Sequence, residues 1–145
     1  MGLSVAYTST ISTNGQARPG AMGGWDQKRG EVQVLSRLTA QEKLFVLTHE
    51  LTHAELALGY LDEAEAAGLK TVDEMEAVVH CASESLLCEV GLGEAYREFC
   101  DENARWYLPL TELRASEPLL ASLSEAVSQG MAYELRMDGE SFLDA

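Results

Sequence analysis

The sequence predicts an α+β domain, with strands first and helices afterwards. Three observations carry that prediction. β-branched and aromatic clusters with turn dipeptides between them fill the chain up to about residue 36. From Thr39 onward apolar residues recur at helical rather than alternating spacing. The whole is 145 residues long with 46% apolar residues, enough for one domain with its own core, so residues 1–145 are read as a single domain.

Taken in order, "SVAYTSTI" (4–11) is read as a strand, and "TNGQARPGAMGG" (13–24) as a loop, because Asn-Gly and Pro-Gly mark turns. "WDQKRGEVQVLS" predicts a hairpin: Trp25 ends one strand, Lys28 to Gly30 turn the chain, and Val32 and Val34 alternate on the next. "TAQE" has the form of a capping box, with Thr39 as N-cap and Glu42 three residues on. Leu44, Phe45, Leu47, Leu51 and Leu58 are read as the apolar stripe of the helix that follows, and Gly59 as its end. "LDEAEAAGLK" is read as an acidic connector. Thr71 is placed to cap a second helix, with Met75, Val79, Ala82 and Leu86 as its stripe and "GLG" (91–93) as its stop. A third helix spans 94–107, and a last one runs from about Ser116 to Gln129, ahead of a polar tail.

Ten Lys and Arg against 24 Asp and Glu give a net charge of -14. A field of that sign repels phosphate backbones and anionic lipid, which argues against nucleic acid and membrane partners and favours a basic partner or a bound cation. No apolar run reaches membrane-spanning length, and "MGLSVAYTSTIST" lacks the regions of a secretion signal. Ala6 also stands where a myristoylation signal wants Ser or Thr. Three cysteines, Cys81, Cys88 and Cys100, form no CxxC pair. Reduced thiols and a cytoplasmic location are therefore expected, with Cys81 and Cys88 as small core residues of the second helix.

The chemistry concentrates in "FVLTHELTHAEL" (45–56). His49 and His53, four apart on a helix, share a face, and both imidazoles can reach one metal ion. Zinc takes neutral imidazole nitrogens readily, and a catalytic site uses three protein ligands and leaves a position for water. Glu50 is displaced around the helix, where its carboxylate can accept a proton from that water and return it to a leaving amine. The competing reading is a metal-free pair of helix histidines, since three fixed positions alone make a hypothesis. A third ligand is available in "DEMEAVVH", which supplies Asp73, Glu74, Glu76 and His80. Glu76 and His80 are four apart and share a face, so one can bind while the other orients a ligand from behind. Spacing leaves the third ligand open between these two, with Glu76 ahead.

With these residues in view, "GGWDQKRGEVQVLSRLTAQEKLFVLTHELTHAEL" resembles the core of ImmA/IrrE-type zincin metallopeptidases. In that family a short hairpin leads into "L-x-x-E-x-x-F-x-L-x-H-E-L-x-H". "EMEA" is similar to the "E-x-E-A" stretch that opens the helix carrying the family's glutamate ligand. The resemblance covers roughly residues 22–107, with 108–145 a C-terminal helical extension. It implies a small zincin-like, gluzincin-type fold with zinc held by His49, His53 and Glu76, and with Glu50 as catalytic base. Thr52 stands where many relatives carry Gly, and His80 where they carry an apolar or acidic residue, which keeps His80 open as an alternative ligand. ArdC-type antirestriction proteins share the same core, so the fold by itself does not decide the biology.

The expected function is zinc-dependent hydrolysis of a specific protein partner. The resemblance implies a regulatory target, such as a transcriptional repressor in a phage or mobile element. An extended substrate is expected to pair with a free edge of the hairpin at 31–36. The alternative is a metal-stabilised binding protein of a phage or mobile element that blocks a host defence or restriction component without catalysis.

Overall fold

A computed structural model describes residues 3–66, 72–103 and 125–129. Two compact units divide the chain, residues 1–54 and 55–145. The division falls inside a helix, between Ala54 and Glu55.

The first unit holds five strands: β1 (Ser4–Thr8), β2 (Ser12–Thr13), β3 (Gln16–Ala17), β4 (Gly23–Asp26) and β5 (Glu31–Leu35). The expected hairpin is β4 and β5, antiparallel, with Trp25 opposite Val32. Within the stretch read as a plain loop, β2 and β3 form a second, minimal hairpin. Asn14 and Gly15 both take positive φ, 53° and 78°, the backbone that a two-residue turn matched to strand twist requires. Strands of two residues are too short to leave an alternating pattern, so the sequence showed the turn without its strands.

Strand β5 is not an edge. The sheet order is β1-β5-β4, with β1 parallel to β5 and Ser4 opposite Glu31. The expectation that 31–36 offers a free edge to a substrate is therefore corrected, because β1 occupies it. Partners 27 residues apart in sequence (4 and 31) leave no local mark of pairing. Both faces of β5 are covered: Val32 and Val34 are fully buried, and Gln33 and Leu35 nearly so. Gln33 accepts a hydrogen bond from the Ser12 amide at 2.9 Å and donates to Glu31 at 2.9 Å. A side chain at Gly24 would meet Thr13 at 2.6 Å and Ile11 at 3.1 Å, so residues 11–13 lie close over that side of the sheet. Asp26, 1% exposed, accepts the amides of Asn14 at 3.1 Å and Arg29 at 3.0 Å, and so ties both turns together. The Arg29 amide, helped by that of Asn14 and by the Arg29 charge, holds the Asp26 carboxyl below its ordinary value of 3.8.

Helix α1 (Ala40–Gly59) begins with the predicted capping box. The Thr39 amide donates to Glu42 at 3.0 Å, and the Glu42 amide donates to the Thr39 hydroxyl at 3.2 Å. Both orphan donors at the helix start are thereby satisfied. Gly59 is its last residue, as expected.

The described residues of the second unit are mainly helical. Residues 61–66, read as connector, form helix α2 (Leu61–Ala66). Asp62 and Glu63 in its first turn are favourable at a helix N-terminus, so acidity here suits a helix as well as a linker. Helix α3 (Val72–Glu89) carries its predicted stripe, with Val79 and Ala82 fully buried and Met75 packed on the core. That core joins Leu56, Ala64, Val78, Val79, Ala82 and Val127, and the Tyr60 hydroxyl donates to the Ala126 carbonyl at 3.1 Å. Gly91 (φ 78°) ends α3: its amide bonds the Cys88 carbonyl at 3.1 Å and that of Leu92 the Leu87 carbonyl at 2.8 Å. This paired closure is the common glycine-terminated helix end. Helix α4 (Gly93–Glu102) buries Tyr96, Phe99 and Cys100. Cys88 is exposed and Cys81 half-buried, so only Cys100 of the three free thiols is a core residue. The expected cap Thr71, residues 104–107 of the third predicted helix and residues 116–124 of the last lie outside the described residues; 125–129 are helical.

Candidate metal centre

The buried face of α1 differs from the predicted stripe. Of that stripe Phe45 is buried as expected and Leu47 and Leu51 are half-buried, but Leu44 and Leu58 are exposed, at 40% and 55%, and Val46, Ala54 and Leu56 are buried in addition. The polar motif lies inward with them: His49 is 2% exposed, Glu50 9%, Thr52 0% and Glu55 8%. Apolar spacing marked Phe45 but also took in the outward Leu44 and Leu58, and it left the buried polar positions unmarked. Burying four polar side chains on one helix is costly unless each finds a partner. Thr52 donates its hydroxyl to the Thr48 carbonyl one turn back, at 2.7 Å, which makes a threonine tolerable inside the motif.

His49 and His53 meet as the spacing predicts. Their Nε2 atoms are 3.1 Å apart, with the rings 4.8 Å between centroids and inclined at 73°. Two nitrogens bound to one tetrahedral zinc at about 2.0–2.1 Å stand roughly 3.3 Å from each other. The separation is close to that of two ligands of a single ion, and is also that of a hydrogen bond between the rings. Glu76, on α3, is grouped with them: ligand atoms of His49, His53 and Glu76 all lie within 4.8 Å of one another, so the three could hold a metal ion. Two neutral imidazoles and a carboxylate are a donor set suited to zinc, and this His/His/Glu group can hold a metal ion.

Glu50 follows His49 on the helix, and strand β4 comes close to it. A side chain at Gly23 would meet Val46 Cγ1 at 2.3 Å and Glu50 Cγ at 3.2 Å. The absence of a side chain at Gly23 gives Glu50 its room.

Of the four candidates in "DEMEAVVH", Glu76 is grouped with the histidines. His80 lies one turn behind it, fully buried, with its Nε2 3.9 Å from Glu76 Oε2. The side chains of Asp73 and Glu74 lie outside those described. The sequence did not single out Gly23, Glu55 or Tyr96, and marked Cys100 only as a reduced thiol. For Tyr96 and Cys100 a signal existed, since they are four apart on one predicted helix and share its inner face. Nothing local marked Gly23, whose role depends on a helix met later in the chain.

Among the described residues no helix is long and apolar enough to cross a membrane. No family model, no curated protein and no solved structure matches the chain.

Proposed function

We propose that the chain is a zinc-dependent metallopeptidase, acting in the cytoplasm on a specific protein partner. The observation that carries this reading is the His49/His53/Glu76 group, with buried Glu50 adjoining it in sequence. Zinc, when bound there, supplies Lewis acidity that polarises a peptide carbonyl and makes water more acidic. His49, His53 and Glu76 supply the donors. Glu50 accepts the proton of the attacking water and delivers it to the nitrogen of the broken peptide bond. The lack of a side chain at Gly23 leaves the Glu50 side chain the space this role needs. A transcriptional repressor as substrate rests on the resemblance of 22–107 to ImmA/IrrE-type peptidases.

The test is metal analysis of the purified protein beside Glu50→Gln, with both incubated with a proteome-derived peptide library and new termini read by mass spectrometry. Glutamine keeps the size of glutamate but cannot take the proton, so equal zinc with cleavage by wild type alone is expected. Zinc without cleavage in either protein would move the assignment to the second reading, a metal-stabilised protein that blocks a partner. The net charge of -14 favours that reading to the extent that the partner is basic.

A further inference from the structure

The proposed centre leaves a buried polar cluster on α3 and α4 without a role. His80 Nε2 faces Glu76 Oε2 at 3.9 Å, about 1 Å beyond a hydrogen bond. On the opposite side of the ring, Nδ1 lies 3.3 Å from the Tyr96 hydroxyl and 3.7 Å from Cys100 Sγ. All three residues are fully buried. Tyr96 and Cys100 come from successive turns of α4 and reach the ring together.

The chemistry of these groups orders their protons. A carboxylate acting as a metal ligand is ionised and can only accept hydrogen bonds. A neutral imidazole donates from one nitrogen and accepts at the other. The ring nitrogen facing Glu76 is therefore the donor, and Nδ1 is the acceptor. Both groups at Nδ1 have a hydrogen to give: the tyrosine hydroxyl does so readily, and burial pushes the Cys100 thiol up to about 12, so it keeps its proton. The protons are thus ordered from Tyr96 through His80 toward Glu76.

Resting on the metal reading above, we propose that His80 is a positioning residue that holds the Glu76 carboxylate in its ligand orientation through Nε2–H, with Tyr96 locking the ring from Nδ1. His80 is then not the third ligand but the group that orients it. Such outer partners typically alter metal affinity ten- to a hundred-fold when removed.

The experiment measures zinc affinity by chelator competition and the visible spectrum of the cobalt-substituted protein for wild type, His80→Leu, His80→Gln and Tyr96→Phe. Heteronuclear NMR of wild type reads the His80 tautomer without metal. Glutamine can place an amide N–H near the lost Nε2–H, whereas leucine cannot. Expected are an Nε2–H tautomer, a loss of about ten- to a hundred-fold in zinc affinity with shifted cobalt bands in His80→Leu, and recovery of both in His80→Gln. Tyr96→Phe should fall between, because Cys100 remains as a donor. An Nδ1–H tautomer overturns the proposal even if His80→Leu fails to fold. Equal behaviour of the leucine and glutamine variants overturns it too, while leaving the metal centre standing. A wild type that takes up no zinc ends the metal reading itself.

Discussion

Asp26 in residues 1–54 and His80 in residues 55–145 are both almost completely buried, yet their surroundings differ in kind. Asp26 accepts the backbone amides of Asn14 and Arg29, and so secures two turns. His80 stands among polar side chains: the Glu76 carboxylate at one nitrogen, the Tyr96 hydroxyl and Cys100 thiol at the other. A buried polar group tied to loop amides serves the fold, and its removal should cost stability alone. One tied to the carboxylate of a candidate ligand can transmit orientation, and its removal should cost metal affinity.

The largest effect expected is at the histidines. His49→Ala or His53→Ala should leave the chain without stoichiometric zinc in metal analysis after gel filtration, because a three-donor site needs every member. Asp26→Asn should retain it. Loss of zinc in Asp26→Asn, or its retention in both histidine variants, would erase the contrast between the two regions.

Gly23→Ala comes next. The added methyl overlaps Val46, a stiff β-branched side chain in a buried position, and presses on Glu50. Overpacking of this kind costs about 1–3 kcal/mol, read by chemical denaturation. The proposed peptidase activity should fall more than metal content does.

A smaller effect, confined to acid, is expected at Asp26. Its carboxyl is held below 3.8 in the folded chain, so its stabilising contribution is present above the unfolded value and is lost as pH falls through the folded one. The gap in thermal midpoint between wild type and Asp26→Asn should therefore be full near neutrality and shrink as pH drops below 3.8. A gap independent of pH would mean that the amide bonds, rather than the charge, carry the effect. The smallest effect is expected for Gly93→Ala. There the methyl meets Cys88 Sγ at 2.2 Å, but Cys88 is exposed and its thiol can turn away, leaving a tight 3.3 Å approach to the Cys88 backbone.

What the sequence by itself determined is local. The capping box of Thr39 and Glu42, the Asn14-Gly15 turn, the Gly91 stop and the pairing of His49 with His53 all act within about one helical turn or one tight turn. At that range, sterics and short hydrogen bonds decide conformation whatever the rest of the chain does. Tertiary structure decided what depends on distant partners. Strand β5 became central because β1 returned to it in parallel. The buried side of α1 became the side with polar residues rather than the side with Leu44 and Leu58. Residues 61–66 became a helix with Ala64 in the core. Glu76 and His80 were both legible as candidates on one face of α3, and spacing left the third ligand open between them with Glu76 ahead. Their different surroundings come from Tyr96 and Cys100 on α4, which meet the far side of the His80 ring. Burial and hydrogen-bond satisfaction are properties of the packed chain, and no window of sequence contains them.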